Sequence, residues 1–189
     1  MIEEKKALRR KLKEKRESIP EELRKAYSAK IQLNLDKITE FNNADKILLF
    51  ANAGSEVITD DIFLSCIKKG ISVYYPKVTG ENMVFVRISG LNELVSGYRG
   101  IREPKTKNEN ELLTDQDKLS NTVIICPGLG FTKDGARIGY GGGYYDMFLS
   151  RCPCLYRIGI CFEAQICDKI PVDDKDFRMN LVITEENIF

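Results

Sequence analysis

The segment 127–146 holds the residue types best suited to binding a charged ligand. It reads PGLGFTKDGARIGYGGGYYD and contains seven of the fourteen glycines of the chain. Consecutive glycines let several backbone N–H groups turn toward one point and let an anion approach closely. Residues 145–149 regain helical character, and a glycine-rich turn that leads into a helix N-terminus is suited to phosphate. The segment predicts an anion site; the alternative is a glycine-rich hairpin that only packs tightly.

Two charged side chains flank these glycines. Arg137 can neutralise an anion and donate two hydrogen bonds to phosphate oxygens. Asp146, in the first turn of the predicted helix, can hold a Mg²⁺ that bridges phosphates. The segment matches neither common phosphate motif: a Walker loop needs Lys followed by Ser or Thr where Tyr144 and Tyr145 stand, and a dinucleotide fingerprint that starts at Gly139 needs glycine at position 144.

The chain contains no histidine. This excludes Ser-His-Asp and Cys-His catalysis, HExxH metalloproteases and Cys2His2 zinc fingers. The six cysteines form no CxxC pair, the first residues are charged rather than apolar, and no apolar run approaches the ~20 residues of a membrane span. We therefore predict free thiols, a cytoplasmic location and no membrane partner. The net charge of +1 disfavours a surface built for nucleic acid.

Helix-like and strand-like segments alternate around the glycine-rich segment. The length of 189 residues favours a single domain that spans residues 1–189. Residues 2–17 and 20–40 predict an N-terminal helical pair, and 58–69 a further helix. Short apolar runs predict strands at 46–51, 71–75, 83–88, 122–126, 156–161 and 181–184. The predicted fold class is α/β, with a mainly parallel, Rossmann-like sheet covered by helices on both faces.

Ligands in such sheets bind beyond the carboxyl ends of the strands. This rule directs attention to the residues that follow Ala51, Tyr75 and Cys126. The polar segment 104–121 predicts a long surface loop, which is either a lid or a plain connection.

The sequence RIGYGGGYYD at 137–146 resembles the signature of the 5-formyltetrahydrofolate cyclo-ligase family, also called methenyltetrahydrofolate synthetases. The resemblance runs in order along the whole chain. KKALR at 5–9 is similar to the family's Lys-x-x-Leu-Arg, Glu56 stands where the family has a Glu after the first strand, and GIREP at 100–104 resembles Gly-Ile-x-Glu-Pro. Three later positions follow in the expected order: Gln165, Pro171 and Asp176.

Three positions depart from the family pattern. Thr132 stands where the family commonly has Asp, Lys175 where it often has His, and Asn180 where it commonly has Asp. None of the three removes a phosphate-binding element. Lys175, however, lies beside Asp176 and affects how the Asp176 carboxylate binds a metal ion.

The resemblance implies a ligase of folate one-carbon metabolism. Its reaction is the ATP- and Mg²⁺-dependent conversion of 5-formyltetrahydrofolate into 5,10-methenyltetrahydrofolate, with release of ADP and phosphate. ATP phosphorylates the formyl oxygen, and N10 of the folate then attacks that carbon. Such a reaction depends mainly on positioning and charge neutralisation, which suits a chain without histidine. The expected partner is the small-molecule folate, bound by a monomer.

The resemblance also implies roles for individual residues. Tyr144, against the formyl group, and Arg137 are the implied catalytic residues. Substrate-binding roles fall to Ala51, Glu56 and Tyr144, with the Glu56 carboxylate accepting N–H donors of the pterin. Asp146 and Asp176 are the implied Mg²⁺ carboxylates. The implied ATP-binding residues are Lys5, Arg9, Arg137, Gly139, Gly141, Gly142, Gly143 and Tyr145.

Several of these roles have structural alternatives. Lys5 and Arg9, one turn apart on a helix, also fit a solvated basic helix, since residues 1–30 carry eleven Lys and Arg against six Glu. Asp176 also fits an acidic surface turn, and Tyr145 also fits the core. Two other functions stay open: an α/β enzyme that binds another nucleotide or a sugar phosphate, and a module that binds RNA or an acidic partner through helix 5–16.

Overall fold

The computed structural model describes residues 2–105, 111–114 and 121–189. Most of the loop predicted at 104–121 therefore lies outside the described residues. The helices are α1 (Ile2–Glu17), α2 (Glu21–Leu35), α3 (Thr39–Asn42), α4 (Asp60–Lys68) and α5 (Tyr144–Arg151). The strands are β1 (Lys46–Leu48), β2 (Ser72–Thr79), β3 (Asn82–Ile88), β4 (Leu94–Ser96), β5 (Arg102–Pro104), β6 (Thr122–Cys126), β7 (Gly130–Phe131), β8 (Arg137–Ile138), β9 (Tyr156–Ile160) and β10 (Leu181–Ile183).

A six-stranded sheet has the order β10-β9-β6-β1-β2-β3. Neighbouring strands run parallel, except β3, which pairs antiparallel with β2 at one edge. Side chains alternate between the two faces: Ile47 and Leu49 pack with α2, α3 and α4, whereas Leu48 packs with α5. Both faces of the sheet are therefore buried, which explains the continuous apolar runs and confirms the predicted fold class.

Three predicted element boundaries differ from the structure by three residues or more. The first strand, predicted at 46–51, ends at Leu48. The second helix ends at Leu35, because a turn at 36–37 precedes α3, while Ile38 still packs into the core. Strand β2 continues through Pro76 to Thr79. Beyond Tyr74 it pairs only with β3, so the missing N–H of proline breaks no bond to a second neighbour.

Helix α1 packs on the glycine-rich segment rather than on the sheet. Leu12, which is 1% exposed, contacts an apolar cluster that includes Leu129 and Ile138. A Cβ atom on Gly130 would lie 2.4 Å from Leu12 Cδ1, so the absence of a side chain at position 130 permits this approach. Within 2–105, 111–114 and 121–189, no helix is long and apolar enough to cross a membrane.

Candidate active-site cleft

A cleft of about 540 Å³ opens where strands of the parallel sheet end. The cleft is lined by Ala51, which follows β1, by Pro76 within β2 and by Pro127, which follows β6. Helix α1 forms one wall, and the glycine-rich segment with the start of α5 forms another. The volume lies within the range of small-molecule sites, roughly 300–1,000 Å³. The cleft therefore lies where the topology of the sheet predicts a ligand.

One face of α1 supplies cations along the length of the cleft. Lys5, Arg9 and Arg16 all line it, and their spacing with the buried Leu12 keeps all four on one helical face. At 1.5 Å per residue, Lys5 and Arg16 lie about 16 Å apart along the helix axis. The basic residues of this face point into the cleft rather than into solvent.

The glycine-rich segment turns sharply between β8 and α5. Arg9 Nε donates a hydrogen bond to the carbonyl oxygen of Gly139 at 2.9 Å, which ties α1 to this turn. Gly143 has φ of 70° directly before α5, a left-handed conformation that favours glycine. The helix predicted to follow the glycines is confirmed. The cleft lining includes Gly139, Gly141, Gly142, Gly143 and Tyr145.

Arg137 forms an ion pair with Asp146 beside this turn. Its Nη2 donates to both carboxylate oxygens at 2.9 Å, and Nη1 donates to the carbonyl oxygen of Pro127 at 3.3 Å. Arg137 is only 8% exposed, and its buried Nε has no hydrogen-bond partner among the described residues. The ring of Tyr145 lies 5.5 Å from the guanidinium carbon. Arg137 is thus a buried cation whose charge is balanced mainly by Asp146.

Lys5 is bound to two carboxylates of the late acidic turn. Its Nζ lies 2.8 Å from Asp176 Oδ2 and 3.1 Å from Asp173 Oδ2. Burial opposes a charged ammonium, but the hydrogen bonds to Asp176 and Asp173 outweigh it and raise the pKa of Lys5. The pKa of Asp173 is lowered, mainly by a hydrogen bond from the backbone N–H of Lys175 and to a smaller extent by the hydrogen bond from Lys5. The structure therefore joins the predicted ATP-binding Lys5 to the predicted metal-binding Asp176.

One predicted metal carboxylate, Asp146, lies close to the backbone beside the other, Asp176. The N–H of Phe177, the residue after Asp176, donates to Asp146 Oδ1 at 3.5 Å. Each carboxylate has a cation beside it, Lys5 or Arg137. Among the described residues, no group of three or more His, Cys, Asp or Glu is placed to hold a metal ion. Two carboxylates still suit Mg²⁺, which is usually bound through one or two of them together with substrate phosphates.

Glu56 occupies the other end of the cleft and is 8% exposed. Its Oε1 accepts a hydrogen bond from the hydroxyl of Tyr140, and its Oε2 accepts one from the N–H of Ala53 at 2.8 Å. Desolvation by burial raises the pKa of Glu56, against the opposing effects of Tyr140, Ala53 N–H and Arg16. The site therefore contains a buried carboxylate with a fixed orientation.

Sequence reasoning missed the cation beside Glu56. Arg16 lies with Nη1 3.8 Å from Glu56 Oε1, and its Nε donates to Ser55 Oγ at 3.0 Å. Arg16 is seven positions after Arg9 and therefore lies on the same face of α1 as Lys5 and Arg9. This spacing could have identified Arg16 from the sequence.

A hairpin of β4 and β5 lines part of the cleft, and it too was missed. Tyr98 lies with its ring centre 6.0 Å from that of Tyr144, at an interplanar angle of 76°. Arg99 follows with φ of 55°, an uncommon value for a residue other than glycine. Glu103 of the same hairpin also lines the cleft. The GIREP sequence at 100–104 was the available signal.

Buried polar contacts hold the loops that shape the cleft. Gln165 is 1% exposed, and its Nε2 donates to the carbonyl oxygens of Gly128 and Leu129, both at 3.0 Å. Two departures from the family pattern have similar structural roles. Thr132 Oγ1 accepts from the N–H of Ala136 at 2.9 Å, and Asn180 Oδ1 accepts from the N–H of Arg157 at 2.8 Å.

Comparison with known proteins agrees with this arrangement. Residues 1–185 match the model of the 5-formyltetrahydrofolate cyclo-ligase family. This chain belongs to the 5-formyltetrahydrofolate cyclo-ligase family. The resemblance drawn from the sequence is thereby confirmed, and the chain is identified as a member of a family of ligases.

Individual relatives cover most of the chain. A 5-formyltetrahydrofolate cyclo-ligase of Mus musculus is 30% identical over 195 residues, covering 97% of this chain and 94% of the relative. The enzyme of the same name from Escherichia coli strain K12 is 27% identical over 152 residues, covering 77% and 81%.

Two solved structures share the fold. The 5,10-methenyltetrahydrofolate synthetase of Aquifex aeolicus superposes with a TM-score of 0.83 at 30% identity, covering 97% of this chain and 91% of the other. The 5,10-methenyltetrahydrofolate synthetase of Mycoplasma pneumoniae gives 0.72 at 25% identity, covering 96% and 98%.

Proposed function

We propose that this chain catalyses the ATP- and Mg²⁺-dependent cyclisation of 5-formyltetrahydrofolate to 5,10-methenyltetrahydrofolate, releasing ADP and phosphate. One observation carries the proposal. A single cleft joins a cationic, glycine-rich end at Lys5, Arg9 and Arg137 to an end with the buried carboxylate of Glu56. The first end suits a triphosphate and the second suits the N–H donors of a pterin.

At the cationic end, Lys5 and Arg9 bind the triphosphate from α1, and the backbone of 139–143 binds it from the opposite wall. Arg137 stabilises the charge on the phosphoryl group in transfer. Asp146 and Asp176 would hold Mg²⁺, which when bound neutralises charge on the phosphate oxygens. Because the transfer is catalysed mainly by positioning and charge, the absence of histidine from the sequence is compatible with it.

At the folate end, Glu56 orients the pterin and Tyr144 lies against the formyl group. The formyl oxygen attacks the γ-phosphorus of ATP, and ADP leaves. The folate's own N10 then attacks the activated carbon, loses its proton, and expels phosphate as the ring closes. Both nucleophiles belong to the substrate, so the chain contributes orientation and exclusion of water.

The contacts of α1 argue against the alternative of an RNA-binding module. Lys5 contacts Asp176, Arg9 contacts the Gly139 carbonyl, and Arg16 contacts Ser55. These contacts hold the three cations inside a cleft of small-molecule size, whereas non-specific nucleic-acid binding needs cations on an open surface that can reach many phosphates. We propose a monomer with no nucleic-acid partner, because one chain supplies the cleft. A cytoplasmic location remains our prediction, based on the pattern of cysteines in the sequence.

Phosphate release tests this function against another phosphoryl acceptor. We expect purified protein with MgATP to release phosphate in a 1:1 ratio to methenyl product when 5-formyltetrahydrofolate is present. Tetrahydrofolate, which lacks the formyl group, should give no release above the level with ATP alone. Equal release with both folates would overturn the assignment and favour a different acceptor.

A further inference from the structure

A chain of three polar side chains connects α1 to the folate end of the cleft. Arg16 Nη1 donates a hydrogen bond to the hydroxyl oxygen of Tyr140, and that hydroxyl donates to Glu56 Oε1. Arg16 and Glu56 are 4% and 8% exposed. The three residues come from three separate elements, namely α1, the turn after β1 and the glycine-rich segment.

We propose that Arg16 and Tyr140 are positioning residues that fix the Glu56 carboxylate in the orientation that receives the pterin ring. This inference rests on the proposed function. It assigns to the two residues a role in recognition of the folate, separate from the binding of ATP at the other end of the cleft.

The direction of the hydrogen bonds supports this role. A tyrosine hydroxyl has one proton to donate. Because Arg16 donates to its oxygen, the proton of Tyr140 is directed to Glu56. Arg16 Nη1 itself is 3.8 Å from Glu56 Oε1, beyond hydrogen-bond distance. Arg16 therefore acts on the carboxylate mainly through Tyr140.

The contacts also leave Glu56 able to bind a ligand. Tyr140 uses one acceptor site on Oε1, and the Ala53 N–H uses one on Oε2. An ionised carboxylate has about four such sites. Each oxygen therefore keeps acceptor capacity, and two neighbouring N–H groups on the edge of a pterin can bind both oxygens.

Arg16 also fixes the backbone segment that carries Glu56. Its Nε donates to Ser55 Oγ, on the residue directly before Glu56. The same helix carries Lys5 and Arg9 at the phosphate end. Docking of α1 therefore sets the position of the carboxylate relative to the ATP-binding cations.

The electrostatic surroundings of Glu56 agree with a positioning role. The charged and titratable groups that face it are Arg16 on α1, Tyr140 in the glycine-rich segment and Tyr145 on α5. Burial raises the pKa of Glu56, whereas Tyr140 and Arg16 both lower it. Removing either should raise that pKa further, so that the folate is lost at a higher pH.

Three variants test the proposal: Tyr140→Phe, Arg16→Met and, as a matched control, Arg10→Met. Arg10 lies on the same helix with its side chain 81% exposed. Calorimetry would measure the Kd of 5-formyltetrahydrofolate and of a non-hydrolysable ATP analogue between pH 5 and 8. We expect Tyr140→Phe and Arg16→Met to raise the folate Kd by about tenfold or more, the scale of a lost hydrogen bond to a charged group.

The same two variants should leave the ATP-analogue Kd within about twofold. In both variants the loss of folate binding on acidification should occur at a higher pH than in wild type. Arg10→Met should match wild type. A folate Kd unchanged in Tyr140→Phe overturns the proposal, even where Arg16→Met fails to fold. A lower Tm in both variants without a selective folate effect shows a structural role only. Wild-type protein that binds no 5-formyltetrahydrofolate overturns the proposed function itself, and this inference with it.

Discussion

The Nη2 atom of Arg137 lies 2.9 Å from each carboxylate oxygen of Asp146, across the glycine-rich turn. A cation expected to bind phosphate and a carboxylate expected to bind metal therefore form an ion pair with each other. Lys5 and Asp176 repeat this relationship at 2.8 Å on the opposite wall. We expect both pairs to keep these charges balanced and oriented until the proposed MgATP binds.

The first prediction concerns Asp146→Asn. This change removes the charge opposite the buried Arg137, so we expect kcat/KM to fall at least about 100-fold. Loss of the partner of a largely buried charge should also lower the free energy of unfolding by about 1–3 kcal/mol. Steady-state kinetics and urea denaturation measure the two effects. Asp174→Asn, in the exposed acidic turn, is the control and should match wild type.

The second prediction concerns Lys5→Met. Because the ammonium of Lys5 lies at the cationic end only, its loss should raise the KM for ATP by about tenfold and leave the folate Kd unchanged. The neighbouring Lys6 is exposed on α1, so Lys6→Met controls for net charge. An equal rise in KM for both substrates would contradict the separation of the two ends.

The third prediction concerns the packing of α1. In Gly130→Ala the new Cβ would meet Leu12 Cδ1 at 2.4 Å and the Gln165 carbonyl oxygen at 3.1 Å. Overpacking of this kind should cost about 1–3 kcal/mol. It should also weaken binding of both substrates, because α1 carries cations for both ends.

The double variant Gly130→Ala/Leu12→Ala provides the control for this prediction. Leu12→Ala alone should cost about 2–5 kcal/mol through the cavity it leaves. In the double variant the new methyl group occupies part of that cavity, so the two losses should sum to more than the measured loss. Strict additivity in urea denaturation would show that the two residues are not in contact.

The fourth prediction concerns pH. In the proposed function the ionised Glu56 carboxylate binds the folate, and burial raises the pKa of that group. Binding should therefore decline as pH falls through the raised pKa, at a pH higher than the ~4.3 of an ordinary glutamate. Measuring the folate Kd as a function of pH tests whether binding weakens as the pH falls. A decline only near the ordinary value, or a wild-type profile in Glu56→Gln, would contradict it.

Local pattern was sufficient to predict the main sheet and the glycine-rich turn. The apolar runs that became β6 and residues 158–160 of β9 are buried on both faces, so their composition carries a strong signal. The turn at 36–37 and the continuation of β2 past Pro76 were missed, because edge pairing and core contacts decide them. Such tertiary contacts override the local pattern.

The site was predicted residue by residue but not as a set of contacts. Arg137 and Asp146 were both identified. Their opposite charges allow an ion pair, but the sequence does not show that these two residues form one with each other. The contact of Arg16 with Tyr140 joins positions 124 residues apart. Sequence spacing within one helix or turn cannot reveal such a pairing, so this part of the site needed the fold.

Near-UV absorbance of the methenyl product tests the central claim most directly. Purified protein would be mixed with 5-formyltetrahydrofolate, ATP and Mg²⁺, with parallel reactions that omit ATP, omit metal, or use Asp146→Asn. We predict a rise that needs both ATP and metal and that falls at least about 100-fold in rate in the variant. A flat trace from wild-type protein that still binds ATP would contradict the proposed reaction, and a rise without ATP would contradict the role of the phosphate end.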